Sequence, residues 1–428
     1  MSFDGRRVRA VAALAFVMSM LAFLAPSTVT LASSDVTGSS ETRALWVQRG
    51  SLATRESIGA LVKAARDHGF NTLLVQVRGR GDAYYLGGVE PRAPELLRQP
   101  DGFDPLATVL ESGHAAGLRI HAWVNVNLVS SAAELPSARE HVIHRHPAWL
   151  MVPRDIGQQL AAVEPDSPAY VGTLARWTRT QSSEIEGLYL SPIAPESADY
   201  TDGLVRHLAH SYALDGIHLD YARYPNDRFD YSRTAIREFR AAVRPQLADS
   251  VRRALDAQEQ DDLFAYPDSL AEQWRAFRVS RMTALIARLH TTIKRERPGA
   301  MVSMAVVPDA REAERHRLQD WAAWAQANLV DTICPMAYTT DADKFAEQIA
   351  QVRAAAGSRI VWAGIGSYRL SAKETIDNIV TARRLGASGI VLFSYDNLTA
   401  SAESASTYLS AVDRAAFSPT PGASPGSR

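Results

Sequence analysis

Short apolar runs alternate with helical patterns along most of this chain, and that rhythm limits the possible folds more than any other feature. Such alternation implies parallel strands joined by crossover helices. The first strand reads Arg43 to Gln48, and a helix from Arg55 to His68 follows and stops at Gly69. Strands two, three and four read Thr72 to Val77, Arg119 to Asn125 and Gly216 to Asp220, with helices Pro105 to Ala116 and Tyr200 to Tyr212 between them. A long helix, Leu270 to Arg295, leads to strand five, Val302 to Val307. Helices Leu318 to Ala327, Lys344 to Ala356 and Lys373 to Leu385 precede strands six, seven and eight, at Asp331 to Met336, Arg359 to Ile365 and Gly389 to Ser394. Gly or Pro just past the helix ends is the expected stop signal. Eight such units are the number at which a parallel sheet closes into a (β/α)8 TIM barrel. The competing doubly wound sheet carries a glycine-rich turn after its first strand, and Gln48-Arg49-Gly50-Ser51 is not that fingerprint.

Barrels of this kind keep their chemistry in the loops at the carboxyl ends of the strands. Two of those loops are long here, Val126 to Asp199 after strand three and Pro225 to Tyr266 after strand four. They are expected to rim one quadrant of the mouth and shape a groove for an extended ligand.

The ends of the chain read differently from its middle. Arg6, Arg7 and Arg9 precede the apolar run Val11 to Ala25, and small residues follow at Leu31 to Ser34. A basic stretch, an apolar stretch and a small-residue cleavage site make residues 1–33 a secretory signal. The run is shorter than the ~20 residues a spanning helix needs, so no stable membrane insertion is expected after its removal. The protein is therefore expected to be exported, periplasmic or extracellular, with the barrel over residues 40–412. Residues 413–428, rich in Pro, Gly, Ser and Ala from Ser418 on, are expected to form a disordered tail. A formal charge of −1, with basic residues spread along the chain, argues against nucleic acid as a partner. The single cysteine, Cys334, cannot form an internal disulfide and sits in an apolar run as a buried small hydrophobe.

The richest segment is Asp215-Gly-Ile-His-Leu-Asp-Tyr-Ala-Arg-Tyr-Pro225. Alternate residues of a strand share a face, so His218 and Asp220 point the same way, into the lumen. Polar groups there cost solvation unless something compensates them, which makes Asp220 a nucleophile or proton-donor candidate and His218 its neighbour. The competing reading is an Asp that caps the strand or pairs with Arg223. Aromatic residues Trp46, Trp123, Tyr221, Tyr224, Tyr338 and Tyr395 fall at or near strand ends, where rings can stack on sugar faces.

This segment resembles the strand-four signature of glycosyl-hydrolase-like family 10, which runs approximately DGIHLDYxRYP. Further stretches are similar to the family: Glu41-Thr-Arg-Ala-Leu-Trp-Val, Gln76-Val-Arg-Gly-Arg-Gly-Asp-Ala-Tyr84, His121-Ala-Trp-Val-Asn125, Gln319-Asp-Trp321 and Pro335-Met-Ala-Tyr338. The resemblance runs in order from Glu41 to Leu398. It implies a TIM barrel that hydrolyses a bacterial polysaccharide or a peptidoglycan-type cell-wall glycan; separately, no cofactor is expected. It also implies a site built from Arg78, Asp82, Trp123, Asn125, His218, Asp220, Arg223 and Tyr338. Tyr221 and Asp396, at strand ends, join them as sugar-binding candidates. The chitinase pattern DGxDxDxE is approached but broken, with His218 in place of its second acid and Ala222 in place of its Glu.

Glycoside hydrolysis usually needs two carboxyls. Asp220 supplies one, and its partner is sought among Asp82, Asp309 and Asp396, with Asp82 first. His144-Arg-His146 lies in an insertion rather than at a strand end, and the chain has no HExxH or CxxC spacing, so no metal is expected. No GxSxG elbow supports a serine hydrolase. Two other functions stay open: a carbohydrate-binding protein without catalysis, and a metal-dependent deacetylase.

Overall fold

Eight parallel strands pair in strict chain order and close on themselves, β1 to β8, into a barrel. They are β1 (Thr42–Val47), β2 (Thr72–Arg78), β3 (Arg119–Asn125), β4 (Gly216–Asp220), β5 (Met301–Val306), β6 (Thr332–Ala337), β7 (Ile360–Ile365) and β8 (Gly389–Phe393). The structure is a computed structural model that describes residues 41–400 and 402–418. The expected signal segment, residues 1–33, and positions 419–428 of the expected tail lie outside the described residues.

The strands are apolar because both of their faces are covered. The outward residues pack under the helices in one large core, and the inward ones, among them Ala44, Trp46, Leu74, Trp123, Cys334, Trp362 and Val391, fill the lumen. Cys334 is sealed there, and burial pushes its thiol well up from the ordinary value. Register fixes the depth of each lumen residue: Trp123 stands opposite His218 and Asn125 opposite Asp220 across β3 and β4.

The helices obey local rules. Thr54 and Ser57 form a capping box at the start of Arg55–Asp67, and Asp104 caps Pro105–Ala115. Gly69 and Gly117 close these two helices with φ of 71° and 77°. Two expected helices differ. The helix expected from Tyr200 runs Pro195–Ser211, because Pro195 supplies a ready first turn. The helix expected over Leu318 to Ala327 is shorter, Trp321–Gln326, and a separate helix, Ala310–Arg317, precedes it and stops where Leu318 takes φ 52°.

The two long loops are small folded layers. The first carries helices Val142–Arg145, Arg154–Ala161 and Pro168–Thr180 over its own apolar cluster. The second carries Arg233–Val243, Asp249–Gln258 and Ala265–Ser269 over another. They are tied together where the Tyr231 N–H donates to Val152 O (2.7 Å) and the buried Asp230 carboxylate accepts from Val152 N (2.9 Å). The expected tail also starts too early. The last helical turn, Asp413–Phe417, packs Phe417 edge-on against Phe70 at 5.1 Å, so the barrel's own structure passes residue 412. No helix among the described residues is long and apolar enough to cross a membrane.

Candidate active site

A cavity of about 500 Å³ opens at the carboxyl ends of the strands. Its inner wall is aromatic, made by Trp46, Trp123, Tyr221, Tyr338 and Phe393, and its polar groups include Gln48, Gln76, Asn125 and Asp220. The rings brace one another edge-on, with Trp46 at 6.1 Å from Tyr338 and 6.0 Å from Phe393, so the wall is stiff.

Asp220 ends β4 in this cavity, only 7% exposed. Tyr221 turns the chain sharply with φ 50°, a strained conformation for a residue with a side chain, and its N–H donates to Asp220 Oδ1 at 2.7 Å. The Trp123 indole N–H donates to Oδ2 at 3.1 Å. Burial nevertheless raises the Asp220 pKa to about 6, against the lowering effect of these two bonds and of the nearby Arg223 charge, and the Glu186 charge adds to the rise. The group can hold a proton near neutrality and release it inside the cavity.

His218 faces the lumen as expected but lies beneath the cavity, fully buried. Its Nε2 takes the Trp46 indole N–H at 3.0 Å and its Nδ1 meets Ser303 Oγ at 2.9 Å. Indole can only donate, so Nε2 is the acceptor and Nδ1 carries the hydrogen. Burial, with His121 nearby, lowers its pKa to about 3, which keeps it neutral. His218 therefore supports the floor, which corrects its assignment as a sugar ligand. Arg78 is corrected in the same way: sealed from solvent, it grips Glu90 at 2.7 Å and donates to the carbonyls of Asn125 and Val126, fastening β2 to the end of β3.

Asp82 does not line the cavity. It accepts the Arg80 N–H at 3.1 Å and faces Arg49 at 3.4 Å, holding the loop after β2. Asp309 caps the helix Ala310–Arg317 and is likewise absent from the lining. Asp396 does line it, with one oxygen taken by Gln48 N and the other by Ser51 Oγ, both at 2.6 Å. Asn125 donates to Gly79 O at 2.8 Å, while its own oxygen is buried without a partner. Arg223, Tyr221, Trp123 and Tyr338 stand in the lining as expected; Tyr224 and Tyr395 do not.

Two lining carboxyls were not foreseen, Glu95 and Glu186. Glu186 comes from the insertion after β3. The stretch 186–190 pairs with 127–132: the N–H of Ala132 donates to Glu186 O (2.7 Å), that of Val129 to Leu188 O (2.8 Å), and that of Leu190 to Asn127 O (2.8 Å). Gly187 permits this approach, since a Cβ there would lie 1.8 Å from Ser130 O. The Glu186 side chain is 35% exposed, and it accepts from Arg223 Nη2 and from the Tyr189 hydroxyl, each at 2.7 Å. Burial would raise its pKa, but the Arg223 charge and these two bonds outweigh it and hold the carboxyl below its ordinary value. The extended run Leu188-Tyr-Leu after a glycine, inside an otherwise helical insertion, is the signal that could have marked it. The expectation that both insertions shape the mouth holds only for the first, which adds Leu128, Ser130, Ser131 and Glu186; no lining residue comes from 225–266.

A family profile described as Glycosyl hydrolase-like 10 matches residues 41–376. Glycosyl hydrolase YngK of Bacillus subtilis (strain 168) is 24% identical over 188 residues, covering 42% of this chain and 31% of that protein. Glycosyl hydrolase DigH of Escherichia coli (strain K12) is 25% identical over 293 residues, covering 63% of this chain and 55% of that protein. The chain thus spans about half, or less, of the curated relatives it matches. Among solved structures, the PgaB (BpsB) glycoside hydrolase domain from Bordetella bronchiseptica superposes with a TM-score of 0.58 at 15% identity, over 86% of this chain and 98% of that one. A β-galactosidase from Rahnella sp. R3 superposes with a TM-score of 0.55 at 14% identity, over 90% and 57%. At these identities the likeness is one of fold.

Proposed function

The chain belongs to the glycosyl hydrolase-like 10 family, and on that premise we propose that it is an exported glycoside hydrolase that cleaves glycosidic bonds of a bacterial polysaccharide or cell-wall glycan, with Asp220 as the proton donor. The observation that carries this reading is a carboxyl with a pKa raised to about 6 in the floor of a cavity walled by aromatic rings. Sugar rings stack their apolar faces on such walls, and the partly exposed Tyr221, Tyr338 and Phe393 are placed for that, while the Gln76 amide can bond hydroxyls. The glycosidic oxygen must take a proton as its bond to the anomeric carbon breaks, and Asp220, protonated near pH 6, is the donor. The relatives named glycosyl hydrolases support the reaction class. The charged start of the chain, Arg6, Arg7 and Arg9 before an apolar run, supports export.

The test is turnover of purified cell-wall glycan and bacterial polysaccharides by the protein and by Asp220→Asn. Asn keeps the shape and the bond from Trp123 but has no acidic proton, so kcat should drop by ~100- to 10,000-fold with glycan binding retained. Equal turnover by the variant removes Asp220 from the mechanism. For the unaltered protein, kcat/KM should fall as pH rises through about 6, because the donor is then ionised. N-terminal sequencing of the exported protein should find residues 1–33 removed.

A further inference from the structure

Hydrolysis with Asp220 as donor leaves open which group activates water, and the cavity wall offers few choices. Besides Asp220, the lining carboxyls are Glu95, Glu186 and Asp396. A base for water must be ionised, held still, and reachable by solvent. Asp396 is weakest on the first condition: burial pushes its pKa up, towards the protonated form, even though Gln48 N and Ser51 Oγ donate to its two oxygens at 2.6 Å and staple the chain after β1 to the end of β8. Glu95 is 44% exposed on the short turn Pro94–Leu96 and faces Arg49 at a loose 3.7 Å.

Glu186 meets all three conditions. Its two oxygens accept separate bonds of 2.7 Å, from Arg223 Nη2 and the Tyr189 hydroxyl, which orient the carboxylate and leave each oxygen a free lone pair. The Arg223 guanidinium is itself held over the Tyr221 ring, 4.7 Å from its centroid, and Tyr221 directly follows Asp220 in the chain. The side chain keeps 35% of its surface open, so a water can stand against it, whereas Asp220 is almost sealed in the floor of the same cavity.

We propose that Glu186 is the second carboxylate of the reaction, the base that takes a proton from the attacking water. This rests on the hydrolase reading above. The water oxygen bonds to the anomeric carbon as its proton passes to a Glu186 oxygen. The bond from that carbon to the glycosidic oxygen breaks, and the leaving oxygen receives the proton of Asp220. Glu186 then holds one proton and Asp220 none, and exchange with solvent restores both. A single displacement by water inverts the anomeric centre. The opposed surroundings of the two acids, one buried in an apolar wall and one against a guanidinium, suit these opposite roles.

The experiment uses the full chain with Glu186→Gln, Glu186→Ala and Asp220→Asn, on whichever glycan the unaltered protein cleaves. Glu186→Gln should lower kcat by ~100- to 10,000-fold while KM stays within a few-fold, since the Gln carbonyl oxygen can still accept from Arg223 while its amide N–H donates to the Tyr189 hydroxyl oxygen. Sodium azide should restore a rate to Glu186→Ala and yield the glycosyl azide, because azide needs no base; a residue that only braces Arg223 would show no such rescue. Proton NMR of fresh product from the unaltered protein should show the inverted anomer. Turnover by both Glu186 variants near that of the unaltered protein, or a retained anomer, overturns the proposal. If Asp220→Asn is dead while both Glu186 variants turn over, the hydrolase reading stands and Glu186 leaves it. If the unaltered protein binds glycans yet releases no product from any, the hydrolase reading falls and takes Glu186 with it.

Discussion

A carboxyl donates a proton near neutrality only when its surroundings disfavour the anion. Around Asp220 the balance is between burial and two donors, the Tyr221 N–H and the Trp123 indole. Trp123→Phe deletes one donor to the anion, so the pKa must rise, and the alkaline limb of kcat/KM should move to higher pH than in the unaltered protein; a pH profile of the two reads this directly. His218, two residues back, shows how depth separates residues that share a face. Alternation along β4 placed both side chains in the lumen, but a step of two residues is about 6.6 Å along a strand, enough to carry His218 below the cavity and under Trp46. Periodicity gives a direction and leaves depth undetermined. Nitrogen NMR of the imidazoles should find His218 neutral with its hydrogen on Nδ1, and unchanged from pH 8 to pH 5.

At the scale of elements, the strands were legible because a closed parallel sheet demands apolar residues on both faces, and β3 and β4 run over the residues expected of them. Site residues carried by strand ends, such as Trp123, Asp220 and Tyr338, came with them. Residues whose roles depend on closure of distant segments did not. Arg78 looked like a ligand in the sequence, yet the loop after β2 folds back so that Glu90 meets it. Glu186 lies in an insertion where the short run after Gly187 hints at an extended stretch, but only the pairing of 186–190 with 127–132 brings its side chain to the cavity. Gly187 is the hinge of that pairing. Gly187→Ala forces a methyl group against Ser130 O and should cost about 1–3 kcal/mol, measured by urea unfolding, with kcat falling further than the stability loss explains.

Across the whole described barrel, closure brings the two ends of the fold together. β1 pairs with β8, Glu41 holds Arg383 through two 2.7 Å bonds, and Arg383 also donates to Ala416 O. Arg43 reaches Phe417, whose ring covers Phe70. Ending the chain at Val412 should therefore lower the Tm by a few degrees, as burial of one aromatic side chain is worth ~1.5–3 kcal/mol; an unchanged Tm would return that segment to the tail. The two acids differ in what carries them. Asp220 stands on a stave of the closed barrel, whereas Glu186 hangs from an outlying layer with a separate apolar cluster. Local layers of this kind open before a closed barrel does. On gentle heating, then, glycan cleavage should fade while circular dichroism still reports a full barrel, and cooling should bring the lost activity back without any refolding of the scaffold.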